Sequence, residues 1–170
     1  MTEETQTLPV CPEGRLSCPT IERDGRQIVD VRTYIPFLLS SVNNALSGGA
    51  SSLYREMFGV GIVEWRTMSM LAIEPRITAN RICEVVHLDK AATSRALKQL
   101  EKDGRVEFVT SETDERKRLW WLNGAGYDLH DRILAVALGR ESRLIRGVDP
   151  EDLEAFIRAM RRMQLNLADV

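Results

Sequence analysis

DKAATSRALKQLEKDG, residues 89–104, is the stretch whose reading decides the fold. Asp89 stands where a carboxylate caps a helix N-terminus, and Gly104 stands where a residue without a Cβ suits the left-handed turn that ends one. Between them Thr93, Ala96, Leu97 and Leu100 fall on one side of the helix, while Ala91, Ser94, Arg95 and Lys98 fall on the other. The first side is core. The second is small, polar and cationic, which suits either an ordinary solvated surface or a helix that enters a DNA major groove. A groove-reading helix uses small residues for close approach, hydroxyls and Arg for base edges, and Lys or Arg for phosphates. The neighbouring segments bear on the choice.

Upstream, TANRICEVV, residues 78–86, predicts a short helix capped by Thr78, with Ala79, Ile82, Cys83 and Val86 as its buried stripe. Only His87 and Leu88 separate it from the next helix, so two short helices meet at a tight turn. Before them GIVEWRTMSMLAIEP, residues 61–75, places Ile62, Trp65, Met68 and Ala72 on a shared face and closes at Pro75. From Asp30, the spacing of Val31, Tyr34, Ile35, Leu38, Leu39, Val42 and Leu46 predicts a further helix, kinked or broken at Pro36 or at Gly48 and Gly49. Residues 1–29, with Pro9, Pro12 and Pro19 and few large apolar side chains, read as a flexible arm whose last residues can dock on the body.

Downstream, RVEFVT and RLWWLN have strand composition and flank a polar tip containing SETDER, residues 111–116. A β-hairpin therefore follows the helix-turn-helix. Trp120 and Trp121 point to opposite faces of their strand, so only one of them can enter a given core. Next, Asn123 is placed to cap a helix, and Asp149 with Pro150 starts the last one. In that last helix Leu153, Phe156, Met160, Met163 and Leu167 form a seam at alternating three- and four-residue spacing.

At 170 residues and 44% hydrophobic composition the chain is long enough for one packed domain. A net charge of -2 means that any basic surface must be local. The sequence start lacks the cationic and apolar regions of a signal peptide, and no apolar run approaches the roughly 20 residues of a membrane helix. A cytoplasmic protein with no membrane partner is expected, its three cysteines free thiols. With two histidines, and no phosphate-cradling Gly loop, metal-ligand cluster or nucleophile motif, the expectation is no enzyme, no cofactor and no metal. Cys11 and Cys18 in CPEGRLSCP raise a thiol-based redox alternative, although two thiolates without further partners are an incomplete zinc set.

These residues resemble the MarR family of winged helix-turn-helix transcriptional regulators over roughly Tyr34 to Leu167. GVGIVEWRTM is similar to the family's entry into its second helix, LDKAATSRALKQLEKDG to its recognition helix, Asp114 and Arg116 to the DxR of its wing, and LNGAG to its "LTxxG". The resemblance implies a mainly α fold with a small β-hairpin wing and long N- and C-terminal dimerisation helices. The divisions expected are an arm at 1–29, a dimerisation helix region at 30–60, a DNA-binding lobe at 61–123 and C-terminal dimerisation helices at 124–170.

It also implies a homodimer on a pseudo-palindromic double-stranded operator, contacted by Lys90, Ser94, Arg95, Lys98, Asp114, Arg116 and Arg118, with Arg116 entering the minor groove. A small effector, aromatic and anionic, would meet Tyr34, Trp65, Arg66 and His130 and release a repressor from its operator. The chain departs from the family at Phe108 and Val109, where a wing Arg is frequent, and at Ala91 and Ala92, where Ser and Thr are frequent. A winged-helix protein-interaction module without its own operator is the competing class, favoured by the acidic total charge.

Overall fold

The computed structural model describes residue 11, residues 14–111 and residues 114–169, without the side chains of Glu115, Arg116 and Asp169. The chain forms two compact units, Met1–Ile62 and Val63–Val170. No helix among the described residues is long and apolar enough to cross a membrane.

In the first unit, residues expected to end a flexible arm form an antiparallel hairpin of β1 (Thr20–Arg23) and β2 (Arg26–Val29). Its turn is Asp24-Gly25, both residues at positive φ, the combination that a two-residue hairpin turn with matching twist demands. The buried Asp30 then organises the entry to the first helix. Its carboxylate accepts from the Arg32 backbone N–H and binds the Arg32 guanidinium at 3.0 Å, and its carbonyl accepts from Thr33 and Tyr34. This turn occupies residues that the periodicity assigned to the helix. α1 (Ile35–Phe58) begins only where Pro36 fits its first turn, and it runs unbroken through Gly48 and Gly49. The expected kink is absent because Pro36 sits where the missing N–H has no intrahelical partner to lose.

The second unit carries most of α2 (Ile62–Ile73), then α3 (Ala79–Val86) and α4 (Lys90–Lys102). The wing follows as β3 (Val106–Ser111) and β4 (Asp114–Leu122), and α5 (Gly124–Leu144) and α6 (Pro150–Asn166) complete the unit. Its core holds Met68, Leu71, Ile82, Leu97, Leu100 and Ile133, all fully buried. The buried side of α4 is Thr93, Ala96, Leu97 and Leu100, as its spacing requires. α2 is buried on more than the expected face: Thr67, Met70 and Leu71 join Met68, while Ile62, Trp65 and Ala72 are half-buried. In α6, Leu153, Ile157, Met160 and Met163 are half-buried, whereas Phe156 and, just past the helix end, Leu167, both expected in the seam, are 56% and 57% exposed in the single chain.

α5 is fastened to the link between α4 and β3. The Asn123 carbonyl oxygen of the side chain accepts from Gly126 N at 2.9 Å, and its amide donates to Gly104 O at 3.1 Å. Gly126 approaches so closely that a Cβ there would lie 2.0 Å from the carbonyl oxygen of Arg105. Gly124, two residues earlier, faces open space. Gly126→Ala should therefore destabilise the fold by about 1–3 kcal/mol, since backbone rather than a flexible side chain must yield. Gly124→Ala should be close to neutral; urea unfolding of the two variants measures the contrast.

Candidate nucleic-acid interface

The geometry of α3 and α4 is set by caps and one buried hydroxyl. Thr78 accepts from Arg81 N at 3.2 Å, and Asp89 accepts from Ala91 N at 2.8 Å and Ala92 N at 3.2 Å. Between the helices, His87 takes the left-handed conformation that ends α3. Thr93, fully buried, accepts from the Cys83 thiol of α3 at 3.3 Å and donates to Asp89 O at 3.1 Å. Cys83, assigned to the core from its spacing, is half-buried at this junction.

With that face turned inward, Lys90, Ala91, Ser94, Arg95 and Lys98 are exposed along the outside of α4. Ser94 and Lys98 among them share a groove with the wing. Its strands pair in register from Val106↔Leu122 to Thr110↔Arg118, then shift so that Ser111 opposes Asp114. β4 thus starts four residues before the RLWWLN run, and an irregularity lies within Asp114–Lys117, the kind of bulge that redirects side chains at a sheet's end. Asp114 lies 3.5 Å from Lys117. The side chain of Arg116, the expected minor-groove contact, lies outside the described residues.

A cavity of about 300 Å³ joins the two elements, lined by Thr78, Ala79 and Asn80 at the start of α3, Ser94, Leu97 and Lys98 of α4, and Lys117, Arg118 and Trp120 of β4. It brings together three of the residues expected to contact DNA, Ser94, Lys98 and Arg118, and adds Lys117, Thr78 and Asn80, none of which was among those expected contacts. Three cations and two side-chain hydroxyls or an amide around one groove suit a phosphate oxygen or another anion. Arg118 is held in place: its guanidinium lies 4.0 Å over the Phe108 ring and 4.0 Å from a Glu101 oxygen. Phe108, where an Arg is frequent in the resembling family, therefore serves as the platform for an Arg from the next strand.

The tryptophans divide as the strand alternation demands. Trp120 is buried against Phe108, ring centroids 4.7 Å apart, while Trp121 is half-buried on the other face under Arg76 at 4.4 Å. Sequence reasoning missed Arg76 and the backbone bridge beside it, in which Ile77 exchanges hydrogen bonds with Trp120. Of the four candidate effector contacts, Trp65 and His130 stack with centroids 5.2 Å apart and planes at 29°. His130 Nδ1 lies 3.0 Å from an Asp131 carboxylate oxygen, and Arg66 is half-buried on α2. Tyr34 belongs to the first unit, at the N-cap of α1.

Comparison with known proteins accords with this geometry. Residues 58–117 match the model of the MarR family. No curated protein matches the sequence. Among solved structures, a MarR/EmrR family transcriptional regulator from Acinetobacter sp. ADP1 is similar at TM-score 0.76 and 23% identity, covering 84% of this chain and 100% of its own. The PcaV transcriptional regulator from Streptomyces coelicolor, solved with its natural ligand, matches at TM-score 0.68 and 19% identity over 81% of this chain and 96% of its own. The S. aureus MepR-DNA complex matches at TM-score 0.67 and 17% identity over 78% and 95%.

The Asp89 cap makes a separable prediction. Asp89→Ala should cost about 0.5–2 kcal/mol in unfolding free energy, and Asp89→Ser should recover most of it, because a hydroxyl oxygen can accept from the same N–H groups. Equal losses in the two variants, measured by chemical denaturation, would remove the cap from the account of how α4 is set.

Proposed function

From a chain that carries a MarR-family winged-helix lobe, we propose a ligand-responsive transcriptional regulator, a repressor that binds a pseudo-palindromic operator as a homodimer. The carrying observation is the cationic groove shared by the recognition helix and the wing, where Ser94 and Lys98 face Lys117 and Arg118. Two elements far apart in sequence contribute like charge to one surface, which a protein with net charge -2 gains nothing from unless an anion occupies it. Arg95 and Ser94 read base edges, Lys90, Lys98, Lys117 and Arg118 hold phosphates, and Arg116 enters the minor groove.

Exposed apolar side chains support the dimer. Phe37, Leu38, Leu39 and Val42 on α1 and Phe156 and Leu165 on α6 lie open in the single chain. Two-fold pairing through these helices sets the recognition helices about one turn, roughly 10 bp, apart on the operator. The effector is a small aromatic acid, with Trp65 and His130 of the second unit as stacking partners and Arg66 for its carboxylate. To empty an occupied operator it must favour the released conformer by about 5 kcal/mol.

Binding of the purified chain to a labelled fragment from upstream of its own gene tests the reading across a salt series, with and without aromatic acids. Steep salt dependence, relieved by one acid, is the expected result. Lys98→Ala and Arg116→Ala should each weaken binding and flatten the log–log salt slope by about 0.9 for each phosphate that is no longer neutralised. Arg95→Ala should cost about 1–3 kcal/mol at one base position and relax specificity there. An Arg116→Ala protein with unchanged operator affinity would remove the wing from the interface. Salt-insensitive or absent binding would favour a protein-interaction module.

A further inference from the structure

Strands β1 and β2 form a four-residue ribbon in which every residue but Thr20 is exposed. A two-stranded hairpin is marginal in water by itself, so its base and its faces need partners. The base has them. Asp30 N donates to Pro19 O at 2.8 Å, the Thr33 hydroxyl donates to Cys18 O at 2.6 Å, and Arg15 donates to Thr33 O at 2.8 Å. One face does not. Side chains alternate along a strand, so the register sets Ile21 opposite Ile28 and Arg23 opposite Arg26 on the same face. The two isoleucines are 42% and 37% exposed. Two arginines directly across from each other repel, which costs stability until an anion meets them. Asp24 in the turn lies 3.8 Å from Arg23 Nε with both side chains in solvent, too weak a pair to offset this.

We propose that this face docks on the first turns of α6 in a second copy of the chain, each hairpin strapping the other protomer. Phe156 is the counterpart of the isoleucines. It lies open in the single chain, and Ala155 and Ala159, exposed beside it, are small enough to admit a neighbouring strand. One turn earlier on the same stripe stands Asp152, next to Glu151, both exposed. Asp149 to Glu154 carries four carboxylates and no cation, although only Asp149 is needed to cap the helix. The spacing agrees. The isoleucine and arginine pairs are two residues apart, about 6.8 Å along the ribbon, and Asp152 and Phe156 are four residues apart, about 6 Å along α6. Isoleucines seated on Phe156 therefore bring the two guanidiniums to the carboxylates.

A second copy is the occupant because the two surfaces are complementary and every chain carries both. The hairpin of one copy on α6 of the other, and the reverse, close the pair after two equal contacts, which is the arrangement of a two-fold dimer. Ile21, Ile28 and Phe156 all remain exposed within one chain. The hairpin also leads through the short Asp30 turn into Phe37, Leu38, Leu39 and Val42, the apolar start of α1 assigned above to two-fold pairing. The strap rests on that homodimer and adds to it a charged contact that the apolar helix faces lack. Charge complementarity of this kind selects the partner more than it tightens the pair.

Two full-length variants test the strap, one with Arg23→Glu and Arg26→Glu, the other with Glu151→Arg and Asp152→Arg, mixed, left to exchange subunits and weighed by native mass spectrometry. Each variant paired with itself opposes like charges at both contacts, whereas the mixed dimer opposes unlike charges at both. The mixed dimer should reach about nine-tenths of all dimer, against about half for random pairing, which corresponds to homodimers about tenfold weaker. A chain carrying all four substitutions should dimerise within about twofold of the unsubstituted one, because the reversed charges match again. If the doubly reversed α6 loses its helical circular dichroism, Asp152→Lys against Arg26→Glu repeats the test with one charge on each side. Phe156→Ala should speed tryptic cleavage after Arg23 and Arg26, since it uncovers the face that carries them. Random pairing of folded variants, or cleavage that Phe156→Ala leaves unchanged, would overturn the strap and leave the helix-mediated dimer standing. An unsubstituted chain that sediments as a monomer at every concentration would overturn the two-fold reading, and the strap with it.

Discussion

Ile77 and Trp120 exchange two backbone hydrogen bonds, Ile77 N to Trp120 O at 3.2 Å and Trp120 N to Ile77 O at 2.9 Å. This pair fixes how far the wing stands from the start of α3, and with it the width of the groove between Thr78, Asn80, Lys117 and Arg118. A two-stranded hairpin alone is marginal in water, and it becomes a dependable platform when a third segment and a core residue hold it. Here Ile77 supplies the segment and the buried Trp120 ring supplies the anchor. Arg76 enters the same arrangement at φ 63°, a conformation unfavourable for a residue with a Cβ, and its N–H donates to Trp120 O at 2.9 Å. Its guanidinium over Trp121 adds about 0.5–1 kcal/mol against that cost at an exposed position.

Charge on the groove between α4 and the wing is managed locally. Arg118 shares its cation between the Phe108 ring and the Glu101 carboxylate, so its position is set before any partner arrives. Pre-positioning matters more than the strength of either contact, because partly exposed ion pairs contribute little and a long side chain loses rotamer freedom on binding. Lys98, exposed on α4, acts as a point charge on a flexible stem. The groove therefore combines a fixed guanidinium with adaptable ammonium groups, an arrangement suited to a backbone whose phosphates are regular while its bases are not.

Local signals in the sequence carried the lobe. The faces of α4, the caps at Thr78, Asp89, Asn123 and Asp149, and the opposed tryptophans each follow from spacing or from one side chain's hydrogen-bonding capacity. Long-range backbone contacts were not legible. The Ile77–Trp120 bridge joins residues 43 positions apart, counted from their numbers, with no pattern in either segment to announce it. Proline content obscured the β1–β2 hairpin, although Asp24-Gly25 carried its turn signal. Periodicity alone also overran the start of α1, because the apolar Val31 and Tyr34 matched the helical spacing while Asp30 captured the backbone N–H groups around them. Lys117 escaped selection because a run charged at every position from Asp114 to Arg118 does not reveal which side faces the helices until the register is known.

The Trp65–His130 stack and the recognition helix are connected by unbroken contacts inside the second unit. His130 sits two turns into α5, and the start of α5 is bound to the end of α4 by Asn123 on Gly104 O, by Asn123 N on Arg105 O at 3.2 Å and by the close seat of Gly126. A glycine seated against backbone leaves little room for sliding, so the first turns of α5 and the last turn of α4 must shift together. At its other end α4 is fixed to α3 through Thr93 and the Cys83 thiol. A molecule that wedged the two rings apart would have to displace α2 or α5. Displacing α5 would drag the Gly104 turn with it, tilting α4 about its Thr93 junction rather than translating it. On the proposed operator, such a tilt would alter the angle at which Ser94 and Arg95 meet the groove, and base contacts are far more sensitive to that angle than phosphate contacts are.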